Sequence, residues 1–225
     1  MVLQLRRHRA VLSQPPAIHD ARQAFSEREY LKLPGFLEPA LLRAIQAALD
    51  REAFHSRTHD GIGIEHCLAP GATSGLLEFL ANDARVLNVV ERITGCGPIG
   101  CFHGRVYRMV PGLGHYDSWH SDVGDDRLVA MSVNLSADVY EGGVLQIRRA
   151  DSLDVLHEVS NVGFGDAVLF RIAPHLRHRV TSLRGAAAKT AYAGWFRSRP
   201  RYDELFRARL RDTGSGLTRD SGCEA

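Results

Sequence analysis

The chain has almost no lysine. Of its 28 basic residues only Lys32 and Lys189 are lysines, so each invites attention. It also lacks any apolar run near the ~18 residues that cross a bilayer, and no membrane insertion is expected. A formal charge of +2 at pH 7 leaves no basic footprint for nucleic acid. The four cysteines, Cys67, Cys96, Cys101 and Cys223, match neither zinc-ribbon nor CxxC redox spacing. With no secretory apolar core at the start, a reducing, cytoplasmic setting is expected. Repeats and low-complexity tracts are absent as well, and nothing in the pattern sets an oligomeric state. The opening Met1–Pro16 is Arg-rich and acid-free and is expected to be a frayed lead-in.

What is present suits one globular domain: 225 residues, 44% hydrophobic and 24% charged, enough to bury a sizeable core. Residues 1–97 read as a strand and helix region with a lid loop, 98–198 as a β-rich core, and 199–225 as a last helix with a loose tail. Tyr30–Leu33 reads as a short strand closed by Pro34-Gly35. Leu41, Leu42, Ile45, Ala48 and Leu49 recur at helical spacing after Glu38-Pro39. His55–Gly75 shows no period and is expected to be a long loop over the site. Leu76–Thr94 is helical again, broken near Asn82-Asp83 and stopped at Gly95.

From Gly97-Pro98 onward the period becomes two. Strands are expected at Phe102–Val110, His115–His120, Arg127–Leu135, Val144–Arg149, Leu153–Val159, Ala167–Arg171, Leu176–Thr181 and Lys189–Arg197, with glycine-containing turns between most of them. About eight short antiparallel strands predict a mainly β, α+β fold. Its core is a double-stranded β-helix, or jelly roll, with the N-terminal helices packed on one sheet. Along Arg127–Leu135 the set Val129, Met131, Val133 and Leu135 is wholly apolar and is expected under the helices. Ser132 and Asn134 then face the interior, where polar groups need a reason.

His-x-Asp occurs twice, at His115–Asp117 and His120–Asp122, where composition alone gives ~0.7 occurrences. The second sits where a strand runs into a turn, so His120 and Asp122 project to one side. One imidazole and one carboxylate make two ligands of a mid-row divalent metal. A second histidine would complete a facial triad with three open positions, as non-haem Fe(II) oxygen chemistry needs. His178, on the seventh strand, is the favoured third ligand, and His175 its rival. Lys189 opens the last strand on a face shared with Ala191, Ala193 and Trp195. A cation at the base of such a slot wants an anion.

Six segments, in this order, resemble the Fe(II)/2-oxoglutarate-dependent dioxygenases, in particular their prolyl-4-hydroxylase-like branch. They are Tyr107–Gly112, His120–Asp122, Tyr140–Leu145, Gly165–Phe170, His178–Thr181, and Lys189 with Trp195-Phe196. The resemblance implies Fe(II) on His120, Asp122 and His178, and O2 and 2-oxoglutarate as cosubstrates. It implies that Lys189 pairs with the distal carboxylate, with Tyr107, Asn134 and Trp195 beside the cosubstrate. Asn134 departs from the aromatic often found there. Asp122 implies hydroxylation, desaturation or cyclisation, since the related halogenases lack this carboxylate. The implied substrate is a small molecule, amino acid or peptide. Arg105, Trp119, Arg127 and His115 are its expected contacts, with the Gly112–Trp119 loop and the Arg148–Ser152 turn beside the lid. A non-catalytic jelly-roll module and a cupin-type metalloenzyme without 2-oxoglutarate are the alternatives.

Overall fold

The computed structural model describes residues 2–124 and 126–199; the helix expected at Arg201–Leu210 lies outside them. The chain opens with β1 (Leu3–Arg6), β2 (Arg9–Leu12), α1 (Pro15–Arg28), β3 (Tyr30–Leu33) and α2 (Pro39–Leu49). There follow β4 (Phe54–His59), β5 (Gly63–Leu68), α3 (Ala72–Ala81) and α4 (Ala84–Thr94). The β-rich part runs β6 (Cys101–Met109), β7 (Tyr116–Asp117), β8 (Arg127–Asn134), β9 (Glu141–Gly142) and β10 (Leu145–Arg149). It closes with β11 (Val155–Val159), β12 (Ala167–Arg171), β13 (Leu176–Val180), β14 (Leu183–Arg184) and β15 (Lys189–Arg197).

Two antiparallel sheets face each other in a jelly-roll arrangement. The larger has the order β3-β12-β8-β15-β6-β5-β4, with β7 paired to β5; the smaller is β11-β10-β13. The helices cover the outer face of the larger sheet. Phe25, Phe36, Ile45, Val89 and Ile93 pack there in one core cluster with Val129, Met131, Val133 and Leu135, the apolar set read from the sequence. Ala130 points the other way, into a second cluster with Leu145, Ile147 and Phe170 between the sheets. The helix ends follow local chemistry. Pro39 opens α2, the Asp83 side chain accepts the Arg85 N–H at 2.8 Å to start α4, and Gly95, at φ 64°, ends it.

Three expectations fail. Residues 55–75 are not a long loop: β4 and β5 form a hairpin in register from Phe54↔Leu68 to His59↔Gly63, and α3 follows at Ala72. β4 is an edge strand with four exposed central residues, so no apolar alternation marks it. The signal was Asp60-Gly61, a turn pair with Gly61 at φ 70°. Nor is the start frayed. β1 and β2 pair, and Leu3 and Leu5 are buried in the main core; four residues of alternation were too few to stand out. The expected strand at His115–His120 shrinks to Tyr116–Asp117, with His120 making a single bridge to His178.

A candidate metal and cosubstrate site

The bridge between His120 and His178 builds the site. Each backbone N–H donates to the other's carbonyl at 3.0 Å, which joins the segment after β7 to β13 and puts the two rings 4.3 Å apart. Asp122 lies between them, with Oδ1 3.8 Å from His120 Nε2 and Oδ2 3.3 Å from His178 Nε2. One ligand atom from each of the three residues falls within 4.8 Å of the others. This donor set can hold a divalent metal on one face and leave the opposite positions open. His175, the rival, sits at the surface against Glu29 at 3.4 Å.

The surroundings orient these groups. His120 Nδ1 is 2.8 Å from the Ser118 carbonyl, which can only accept, so Nδ1 carries a proton and Nε2 is the ring nitrogen turned toward Asp122. Asp117, from the rejected triplet, stands 3.3 Å from the same Nδ1 and is held by the Val180 N–H at 3.0 Å. It stands behind a candidate ligand, a placement that spacing alone did not reveal. Burial raises its carboxyl pKa, against the pull of His120 and His178. For Asp122 the balance reverses. Burial would raise it, but the His178 contact, the Trp195 N–H and His120 hold it at about 2. Trp195 Nε1 donates to Asp122 Oδ2 at 2.7 Å. Arg127 lies 3.8 Å over the Trp195 ring and 3.4 Å from Asp122 Oδ1.

A cavity of about 480 Å³ opens from these three residues between the sheets. Lys189 lines it and is itself buried; its Nζ donates to the Gly143 carbonyl at 2.9 Å and forms no salt bridge among the described residues. The Tyr107 and Tyr140 rings lie 6.0 and 5.9 Å away. Burial pulls the ammonium down to about 8, against attraction to Asp117. Gly143 is needed here: at φ 61°, a Cβ would meet Lys189 Cδ and Tyr140 at 3.0 Å. Burial pushes the Tyr107 phenol well up, so it is neutral.

The structure brings Arg105, Tyr107, Arg127 and Trp195 into the cavity wall and keeps three expected residues out. Asn134 is buried, and its amide is spent on the Gly163 carbonyl and the Ser136 N–H. His115 Nδ1 accepts the Val110 N–H at 3.0 Å, and its ring packs on His66 at 4.5 Å. It closes a turn; burial and His66 lower its pKa. Trp119 lies between Arg148 at 4.6 Å and Arg179 at 4.7 Å, on the side of the ligand strands away from the cavity. That stack also takes the Arg148–Ser152 turn away from the mouth. In its place the β4–β5 hairpin forms a wall. Ser118 N–H donates to the Ile62 carbonyl at 2.7 Å, and Gly63 lies so close to Tyr116 that a Cβ would meet its carbonyl oxygen at 2.5 Å. Glu65 enters the cavity from this hairpin.

The family model for the 2OG-Fe(II) oxygenase superfamily matches residues 104–197. The fold is similar to that of a Pseudomonas putida prolyl-4-hydroxylase, at 21% identity over 82% of this chain and 100% of that one, with a TM-score of 0.63. A Burkholderia pseudomallei oxidoreductase of the 2OG-Fe(II) oxygenase family is similar at 16% identity, 88% and 96% coverage and a TM-score of 0.61. A prolyl hydroxylase from Trichoplax adhaerens, in complex with a hypoxia inducible factor oxygen degradation domain peptide fragment, matches at 16% identity, 88% and 97% coverage and a TM-score of 0.61. At these identities the likeness is one of fold. A comparison with curated proteins yields no match.

Proposed function

We propose, for a chain that belongs to the 2-oxoglutarate/Fe(II) oxygenase superfamily, the hydroxylation of an unactivated C–H bond in a small molecule, amino acid or peptide. One observation carries the reading: two imidazoles and a carboxylate converge at one end of a cavity that also holds a buried lysine with no salt bridge among the described residues. The donor set fits Fe(II), and a buried cation with no carboxylate in salt-bridge contact among the described residues fits a dicarboxylate cosubstrate. With O2, iron and 2-oxoglutarate together supply the oxidant for the C–H bond and release succinate and CO2.

The chain's own residues supply placement. His120, Asp122 and His178 hold the metal. Ser118 and Asp117 fix the His120 ring and its tautomer, and Trp195 fixes the Asp122 carboxylate. Lys189, kept pointing inward by the Gly143 carbonyl, pairs with the distal carboxylate of 2-oxoglutarate. Tyr107 and Leu145 line the same cavity. No described helix is long and apolar enough to cross a membrane; Cys67 and Cys96 are free thiols, which suits a reducing cytoplasm.

Anaerobic addition of Fe(II) and 2-oxoglutarate tests the reading. A weak visible charge-transfer band is expected, and succinate on admission of air with a substrate. A protein that gives neither is not this enzyme. Trp195→Phe keeps the ring and removes the donor to Asp122. Fe(II) affinity should fall roughly 10–100-fold, the usual cost of a lost ligand partner; an unchanged metal titration would show that Trp195 does not position Asp122.

A further inference from the structure

We propose that Arg105, held in place by Glu65, docks a carboxylate of a small-molecule substrate. This rests on the oxygenase reading of the same cavity.

Arg105 shares a face of β6 with Tyr107 and pairs with Ala193 of β15. Its guanidinium carbon lies 6.0 Å from both the Tyr107 and Trp195 rings. Trp195 bonds Asp122, so Arg105 stands one side chain from the metal ligands. Lys189 lies further along the same pair of strands, opposite Met109. The cavity therefore carries separate cations along its length, and a cosubstrate paired with Lys189 would leave Arg105 for another ligand.

Glu65 takes Arg105 Nε at 2.7 Å. His59 and Cys67 reach the same oxygen, Oε1, each at 3.3 Å. These contacts fix the guanidinium but leave its two terminal nitrogens with no partner among the described residues, on a side chain that is 28% exposed. That free edge offers two parallel donors, the geometry that matches a carboxylate. Burying an ion pair costs free energy unless both partners are well satisfied. Here the acid compensates the base and aims it through Nε, while both terminal nitrogens of the guanidinium are left for a ligand. Arg57 lines the cavity as well, so two guanidinium groups stand there against the one Glu65 carboxylate. A cavity of about 480 Å³, shared with 2-oxoglutarate, suits a molecule of amino-acid size.

The test uses protein loaded anaerobically with Fe(II) and 2-oxoglutarate. It is challenged with the proteinogenic L-amino acids and short monocarboxylates, each beside its carboxamide. Shift of the charge-transfer band and succinate release in air are read. At least one acid should act, with its carboxamide roughly 100-fold weaker. Arg105→Gln should weaken the acid by a similar factor while its 2-oxoglutarate titration keeps the wild-type midpoint, and Arg105→Lys should recover part of the loss. If Arg105→Gln does not fold, the double variant Glu65→Gln/Arg105→Gln, which leaves no unmatched buried charge, replaces it. Equal action of acids and amides, no response from any acid, or a shifted 2-oxoglutarate midpoint in Arg105→Gln each overturns the assignment. Wild-type protein without any band removes the oxygenase reading as well, which separates the two failures.

Discussion

His178→Ala abolishes the charge-transfer band and succinate release, while the β-rich circular dichroism spectrum is retained. The ring supplies one of three ligand atoms, and its Nε2 is also the nearest cation-capable partner of Asp122, at 3.3 Å. Removing it leaves an imidazole and a carboxylate, too few donors to fix a facial geometry. The loss should exceed the roughly 10–100-fold that follows loss of an outer partner, such as the Trp195 N–H. Circular dichroism and anaerobic Fe(II) titration check both halves. Wild-type iron affinity in His178→Ala would move the third ligand elsewhere. The alanine leaves the backbone bridge to His120 intact, so the effect isolates the ring.

Lys189→Ala weakens 2-oxoglutarate binding on the order of 10²–10³-fold, the range for truncating one member of a buried charge pair. The pH dependence is more diagnostic. The ammonium sits at about 8 in the protein, pulled down chiefly by burial, against an ordinary value of 10.5. Below pH 8 it is already charged, and 2-oxoglutarate affinity should be flat. Above pH 8 binding must take up a proton, and affinity should fall roughly tenfold per unit until the pKa of the complex is reached. Lys189→Arg should flatten that limb, since a guanidinium stays charged. Stability of the unliganded protein runs the other way. Between about 8 and 10.5 the unfolded chain binds more protons, so the lysine's contribution to stability rises with pH. Titrating the band across pH in wild type and Lys189→Arg checks the sign; a flat wild-type curve would remove the lysine from the cosubstrate site.

The β-rich half was legible because its strands alternate cleanly. Val129, Met131, Val133 and Leu135 declared the helix-covered face, and Ala167–Arg171 and Lys189–Arg197 have the bounds the pattern predicts. The β4–β5 hairpin was illegible because an edge strand lies partly in solvent and partly against a polar cavity, which erases period two. Glu65, and with it the partner of Arg105, was lost in the same stretch. At the site, spacing brought out His120, Asp122, His178 and Lys189, whose residue types carry chemistry. Asp117 could be seen only as a competitor, because its role depends on where the His120 ring turns. Asn134 misled for a related reason: alternation reported which way it faces, but not that the Gly163 carbonyl and the Ser136 N–H already use its amide.

The bridge between His120 and His178 has a meaning for folding as well. Its two residues are far apart in the chain, and β8, β10 and β12 lie between them. Closing the rung costs the entropy of a long loop, which the pairing of the intervening strands offsets. An ion seated between them and Asp122 would bind the finished barrel and not the open chain, and by mass action would hold it shut. A metal held there would in that sense be the clasp of the fold, and a chelator would loosen the structure where its sheets join.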